Sequence, residues 1–463
     1  MTIWSPELAH RTGPRSQAIA DALLEDIERG RLKPGARLPT HRELADKLGV
    51  AIGTVTRAYA LAQRRGLLSG EVGRGTFVAP SPAARVASET TTAEDTAAPV
   101  DLSKNILIRD TRDARLFEAL SSIGRFEFDD FLDHYQTAAG AERHRAAGAA
   151  WLSRRGFEVA PERVLVTSGA QHAMTVVLAT LTEPGDTILT EQLSYPGIKA
   201  LANFLHVRLR GLAVDEHGLL PEAFEQACRG RAGKVLYCIP TVQNPTASVM
   251  PDARRREIAR IAREYDVALL EDDVYGFLPE DAPPPVAFYA PEQTFYVTST
   301  SKSVAPGLRV GYVVAPAGSV ERLSAAVRTT TWEAAPLMAE VVSKLIEDDS
   351  IGEIVGWKRR EAQARQRLAR ETLGEFFSAD APTSCHIWIQ LPEPWRSSDF
   401  VAQARSRGVL VMPSEAFVVG RGPAPHAVRI CLGSTPSRAQ LQKGLSILAD
   451  ILRSTPEPAL MVT

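Results

Sequence analysis

With 463 residues the chain is longer than one ordinary hydrophobic core serves, so two or three compact units are expected. Its 44% hydrophobic and 23% charged residues are those of a soluble globular protein, and no apolar run approaches the length of a bilayer span, which excludes a membrane-embedded class. The net charge of -2 taken alone argues against nucleic acid, but residues 33–80 carry eight Lys or Arg against three Asp or Glu, a local positive surplus where a polyanion would sit.

The opening MTIWSPELAHRTGPRS lacks a basic stretch followed by an apolar core and a cleavage site, so a cytoplasmic protein is expected. Ile19, Leu23, Leu24 and Ile27 have helical spacing and predict a first helix over 14–30. After the turn-rich KPGARLPT, Thr40 is placed to cap a second helix over HRELADKLG, and Gly49 to close it. A third helix is expected in VAIGTVTRAYALAQRRG, with Val55, Tyr59 and Ala62 on one side and Thr54, Arg57 and Arg64 on others. Two short helices joined around a glycine have helix-turn-helix spacing. LLSGEVGRGTFVAP then reads as two short strands around a Gly-Arg-Gly tip, so residues 10–79 are expected to form a winged helix-turn-helix. Residues 80–100, rich in Ala, Thr, Pro and acid, have almost nothing to bury and read as a linker.

Over residues 101–455 the pattern becomes strands alternating with helices. RVLVTSGA is an apolar strand leading into the helix QHAMTVVLATL; DTILTE, KVLYCIP, VALLEDD and TFYVTST are further strands, and REIARIAREYD is a helix. The fold class is therefore α/β, with a mostly parallel sheet covered on both faces. Ligands of such sheets bind beyond the carboxyl ends of the strands, and those ends carry Ser168, Gly169, Asn244, Asp272, Ser299, Ser301 and Lys302. Cys228, Cys238, Cys385 and Cys431 are scattered, with no CxxC and no His at ligand spacing, so no metal site is expected and the cysteines read as reduced core residues.

In TSTSKSVAPGLRVGY, Lys302 follows a run of hydroxyls and precedes Arg309. A lysine used for imine chemistry must be held where it can lose a proton, and a neighbouring cation helps; Arg309 would also serve as a bidentate phosphate partner, with Ser299 and Ser301 adding donors. A cofactor with both an aldehyde and a phosphate would use all four. Asp272 follows a buried strand, where a carboxylate needs a partner, and opposite a pyridine nitrogen it would keep the ring protonated. Tyr275 and Asn244 are candidates for the ring's phenolic oxygen. TSGAQ ends a strand and opens a helix, so the amides of Gly169, Ala170 and Gln171 form an anion site. Tyr195 could stack on a flat ring, and Arg429, on a late strand, suits a carboxylate.

With these motifs residues 101–455 resemble the fold-type I, class I and II aminotransferases that bind pyridoxal 5'-phosphate, a fold with large and small lobes. The resemblance implies that Lys302 forms the internal aldimine, that Asp272 pairs with the pyridine nitrogen and that Asn244 and Tyr275 hold the phenolic oxygen. It also implies that Ser168, Gly169, Ala170, Gln171, Ser299, Ser301 and Arg309 cradle the phosphate, that Tyr195 stacks on the ring and that Arg429 binds an effector carboxylate. Tyr135 is similar to the tyrosine that reaches the neighbouring subunit's phosphate, and a homodimer is implied. LPTHRELADKLGV, TVTRAYALAQRRGLL and GEVGRGTFV resemble the GntR-family winged helix, and the two halves in this order resemble the MocR/GabR type of bacterial transcription regulator.

A helix-turn-helix sets the N-terminal residues of its second helix against base edges. Here those include Ala51, Ile52, Gly53, Thr54 and Thr56, with Arg57 behind them, so direct readout rests on few polar contacts and the operator cannot be written down. Thr40, Arg42 and the wing residue Arg74 are candidates for the DNA backbone, Arg74 also for a minor groove. The combined expectation is a regulator of a double-stranded DNA operator. An amine or amino-acid effector, or pyridoxal phosphate itself, acts at Lys302. The alternative is an active aminotransferase to which a DNA-binding domain has been appended.

Overall fold

Helix α1 (Arg15–Glu28), α2 (His41–Leu48) and α3 (Ile52–Arg64) close one core by their apolar spacing. Ile19 and Leu23 meet Leu44 and Ala45, and Val55, Ala58, Tyr59 and Ala62 fill the space between them, all buried. Thr40 begins α2 with a capping box: its hydroxyl accepts from the Glu43 amide while the Glu43 carboxylate returns to the Thr40 amide at 2.8 Å. Gly49 ends α2 at φ +61, a left-handed conformation that glycine adopts without strain. Strands β1 (Leu68–Glu71) and β2 (Gly75–Val78) pair antiparallel from Leu68 opposite Val78, and Leu68 and Val78 join the same core. The segment before α2 adds to this wing, the Leu38 amide donating to the Thr76 carbonyl at 2.9 Å.

The computed structural model describes residues 4–6, 14–29, 31–33, 36–64, 67–71, 75–78, 99–106, 110, 113–378, 381–420 and 422–455. Arg74 and nearly all of the expected linker lie outside them. The chain divides into two compact units, Met1–Thr96 and Ala97–Thr463.

The larger unit begins with β3 (Val100–Asp101) and is built on β4 (Val164–Thr167), β5 (Thr187–Glu191), β6 (Arg208–Leu212), the small hairpin β7 (Val214–Asp215) and β8 (Gly218–Leu219), β9 (Val235–Cys238), β10 (Ala268–Asp272), β11 (Thr294–Ser299) and β12 (Gly311–Val314). Seven of these form one sheet in the order β4-β12-β11-β10-β9-β5-β6. Successive residues point to opposite faces: Val164 and Val166 join a core with Trp151 and Tyr312, while Leu165 joins one with Met174 and Val297. Both faces are thus covered, as continuous apolar strands require. The edge strand β6 alternates instead, with Arg208 and Arg210 exposed.

All neighbours in this sheet run parallel except β12, which is antiparallel to β11 and β4. The reason is connection length. A parallel return needs a crossover of about a dozen residues or more, usually with a full helix, and only the short helix Thr300–Ser303 and the turn Pro306–Leu308 separate β11 from β12.

A second, smaller sheet has β13 (His386–Gln390), β16 (Ala427–Cys431) and β15 (Met412–Pro413) in that order, antiparallel. Strand β3 pairs in parallel with β14 (Val409–Leu410). Val100, Leu102, Ile387, Val428 and Ile430 pack with Leu441, Leu445 and Leu448 of the helix Arg438–Arg453, a core separate from those of the large sheet. Large and small lobes are therefore distinct bodies of packing.

Candidate functional site

The sheet register assembles the phosphate-cradle candidates. Ser299 lies opposite Gly311, and Gly311 opposite Thr167, so the ends of β11 and β4 flank the start of β12. Arg309, at φ +53, sends Nη2 to the Ser168 carbonyl at 3.1 Å. It lies over Gly169, itself at φ +84, where an added Cβ would stand 2.5 Å from that Nη2. Glycine is required there by conformation, and any side chain would also push the Arg309 guanidinium from its place. The Ser299 and Ser301 hydroxyls are 2.7 Å apart. One of the three expected amides is already engaged, Gly169 donating to the Thr167 carbonyl at 2.8 Å, and the neighbouring Ser168 amide donates to His172 Nδ1 at 3.1 Å. Ala170 and Gln171 open the helix Ala170–Leu181, where first-turn amides have no intrahelical acceptor. His172 was not anticipated; its Nε2 meets Thr330 Oγ1 at 2.7 Å and burial lowers its pKa.

Lys302 sits on the short helix directly after β11, its Nζ hydrogen-bonded to the Asn105 carbonyl and 5.7 Å from the centre of the Tyr275 ring. Burial lowers its pKa, with the Arg429 charge acting in the same direction and Cys385, Cys431 and Asp272 opposing. Asp272, at the end of β10, is buried; Oδ2 accepts from Tyr237 Oη at 2.8 Å, the Val274 amide also helps to hold the carboxylate, and Oδ1 has no side-chain partner among the described residues. Burial pushes its carboxyl up to about 6 in spite of the Tyr237 bond.

Arg429, in the middle of β16, donates from Nη1 to Asn244 Oδ1 at 2.8 Å and from Nη2 to the Ser103 carbonyl at 2.7 Å, and its buried Nε has no partner among the described residues. Asn244 is joined to Pro245 by a cis peptide bond. Tyr275 is buried and accepts from Asn105 Nδ2 at 2.8 Å. Tyr195, half-buried at the start of the helix Pro196–Phe204, reaches Gln171 Oε1 at 3.4 Å and so stands beside the cradle. Tyr135 is apart from this cluster: it is 78% exposed, with its ring 5.3 Å from that of Trp332.

Ser103, Asn105, Tyr237, Cys385 and His386 also belong to the site and were not singled out from the sequence. Cys385 donates to Asn105 Oδ1 at 2.9 Å and His386 Nε2 meets the Gln243 carbonyl at 3.0 Å. Burial, with the Arg429 charge beside it, holds the His386 imidazole down at about 3. All four cysteines are buried and free. Among the described residues there is no group of three metal-ligating side chains, and no helix is long and apolar enough to cross a membrane.

On the smaller unit, Ala51, Ile52, Gly53, Thr56 and Arg57 are exposed and Thr54 is half-buried. Thr56 donates back to the Ile52 carbonyl at 3.1 Å and Arg57 Nε to the Gly53 carbonyl at 3.2 Å. The Thr40 hydroxyl is engaged in its cap. Arg37, Leu38, Thr40, His41, Arg42, Ile52 and Thr76 line one concavity, which adds Arg37 and His41 to the residues chosen from sequence.

A lysine beside a buried carboxylate at the strand ends of this sheet, with a glycine-arginine cradle, defines a class. Residues 98–448 match the family described as aminotransferase class I and II, and the chain belongs to it; residues 15–78 match the bacterial regulatory proteins of the gntR family. The two domains in this order are those of a MocR/GabR-type regulator. The chain is 31% identical over 451 residues to the uncharacterized HTH-type transcriptional regulator YdeF of Bacillus subtilis, covering 97% of this chain and 96% of that one. It is 28% identical over 490 residues to the HTH-type transcriptional regulator TauR of Rhodobacter capsulatus, covering 95% and 97%. Its fold is similar to that of an archaeal alanine:glyoxylate aminotransferase, with a TM-score of 0.69 at 21% identity over 85% of this chain and 98% of the other.

Proposed function

We propose that this chain regulates transcription by holding pyridoxal 5'-phosphate at Lys302 and sensing an amine or amino acid there. The observation that carries the reading is Asp272, a buried carboxylate whose Oδ1 has no side-chain donor among the described residues, on the strand end next to a lysine of lowered pKa. Neutral donors such as Tyr237 leave a buried carboxylate costly to ionise when no cation is paired with it, and a protonated ring nitrogen would pair with it. The cradle fits a phosphate equally well: helix amides at Ala170 and Gln171, two hydroxyls and Arg309 surround a backbone that only glycine permits.

The cofactor would supply an aldehyde that exchanges between amines and a ring that withdraws electrons when protonated. The chain's own residues do the rest. Lys302, with its lowered pKa, carries a larger neutral fraction near pH 7 and can take or return a proton at Nζ. Asn244, its oxygen held by Arg429, and Tyr275, kept protonated by burial, both present donors. Arg429 offers a carboxylate its Nε edge, with the rest of the guanidinium anchored by Asn244 and Ser103.

The winged helix would bind a double-stranded DNA operator in the cytoplasm through the face that carries Arg42, Thr54, Thr56 and Arg57, with Thr40 at its edge and Arg74 on the wing. A homodimer is supported by exposed apolar side chains on two consecutive helices, Phe117 and Leu120 on one and Phe128 and Leu132 on the next, and by the exposed Tyr135–Trp332 ring pair, which a second copy would cover. In that dimer Tyr135 would reach the partner's phosphate.

The test is visible absorbance of cofactor-loaded protein titrated with amines and amino acids, with Lys302→Ala as control. A shift that then holds steady identifies a sensor and its effector. If the visible band is lost and a keto acid restores it, the chain completes transamination, a second reading that the lowered Lys302 pKa favours. Lack of any Lys302-dependent absorbance would sink both.

A further inference from the structure

Asn105 lies in the stretch between β3 and the first helix of the larger unit, and no local motif marks it, yet its polar atoms meet four other residues. Its carbonyl accepts Lys302 Nζ; Nδ2 is 2.8 Å from Tyr275 Oη and 3.4 Å from His386 Nδ1; Oδ1 accepts from Cys385 Sγ at 2.9 Å. The neighbours settle which end of the carboxamide is which. His386 Nε2 faces the Gln243 carbonyl at 3.0 Å, an acceptor only, so Nε2 carries the imidazole proton and Nδ1 is a lone pair. Cys385 Sγ also faces that lone pair, at 3.9 Å, but the nearer carboxamide atom at 3.4 Å would be repelled as an oxygen and is therefore the NH2. With its pKa at about 3, His386 keeps this arrangement through the neutral range.

The same NH2 therefore donates to Tyr275, whose hydroxyl stays protonated because burial raises its pKa well above 10. A phenol that accepts from one side turns its own proton elsewhere. We propose that Asn105 is a positioning residue of the lysine site: its carboxamide directs the Tyr275 proton outward to a ring oxygen, and its carbonyl sets the resting place of Lys302. The inference rests on the cofactor reading above.

A fixed donor on the phenolic oxygen stabilises its anion and so lowers the pH at which the visible absorbance of loaded protein titrates. In the full-length protein loaded with pyridoxal 5'-phosphate, Asn105→Ala frees the Tyr275 hydroxyl to turn, and the midpoint rises by about one pH unit, the scale of one hydrogen bond to a charged group. Asn105→Asp keeps the shape but offers Tyr275 an acceptor, reversing its hydroxyl, and raises the midpoint further. Normal loading with an unmoved midpoint in both Asn105 variants, while Tyr275→Phe moves it, overturns the role of Asn105 alone. No visible absorbance in the unmutated protein overturns the cofactor reading and this one with it.

Discussion

Asp272→Asn separates what the buried carboxylate does for stability from what it does for the ligand. In the folded chain its pKa is raised from the ordinary 3.8 to about 6, chiefly by burial. The folded state therefore binds more protons than the unfolded state between those values, and stability falls as pH rises through that window. Carried to neutral pH, the gap corresponds to about 3 kcal/mol of destabilisation in cofactor-free protein, an upper limit because the charges of neighbouring acids readjust. Asparagine retains an acceptor for Tyr237 and has no charge to desolvate. Denaturant unfolding of the cofactor-free protein, followed by the fluorescence of the buried Trp151 and Trp395, should show the variant more stable than the parent by up to about 3 kcal/mol at pH 7.5 and equal to it near pH 4. Titration with pyridoxal 5'-phosphate should show the opposite ranking, with affinity at least about tenfold lower, since an amide cannot pair with a protonated ring nitrogen as a carboxylate does. An Asp272→Asn protein that is less stable at pH 7.5, or whose stability has the parent's pH dependence, would refute the claim that this carboxylate is held at a cost for a ligand.

Gly169→Ala forces alanine into φ +84, ψ 169, a conformation essentially reserved for glycine, at about 1–3 kcal/mol from the backbone alone, and its Cβ displaces the Arg309 guanidinium; both the melting temperature and the affinity for pyridoxal 5'-phosphate should fall. Thr40→Ala removes the α2 cap and should destabilise the N-terminal unit by about 1 kcal/mol, visible as faster amide exchange confined to α2 and its neighbours. Arg42→Ala, at an exposed position, should weaken DNA binding without changing sequence preference and reduce the slope of log affinity against log salt by about one. An unaltered slope would remove Arg42 from the phosphate contacts.

The N-terminal unit was legible almost to the residue because its determinants are local. The Thr40 cap, the stop at Gly49 and the buried stripe Val55, Tyr59 and Ala62 each depend on residues within one or two helical turns. The larger unit was legible wherever function concentrates at strand ends. TSGAQ and TSTSK place an apolar run, a polar end and a helix start in a single short stretch, and the sheet register then brings those ends together.

What the sequence by itself determined is the fold class, the two kinds of domain and the set of strand-end residues, since apolar periodicity and turn chemistry act between near neighbours in the chain. The tertiary structure alone decided how those residues are partnered. It turned β12 antiparallel because its connection is short, laid Arg309 over Gly169, and assigned Tyr237 to Asp272 across two strands. It also brought Asn105 to Tyr275 and His386, residues 170 and 281 positions away. No periodicity spans such distances; only the packing of one lobe against the other brings those atoms within hydrogen-bond reach.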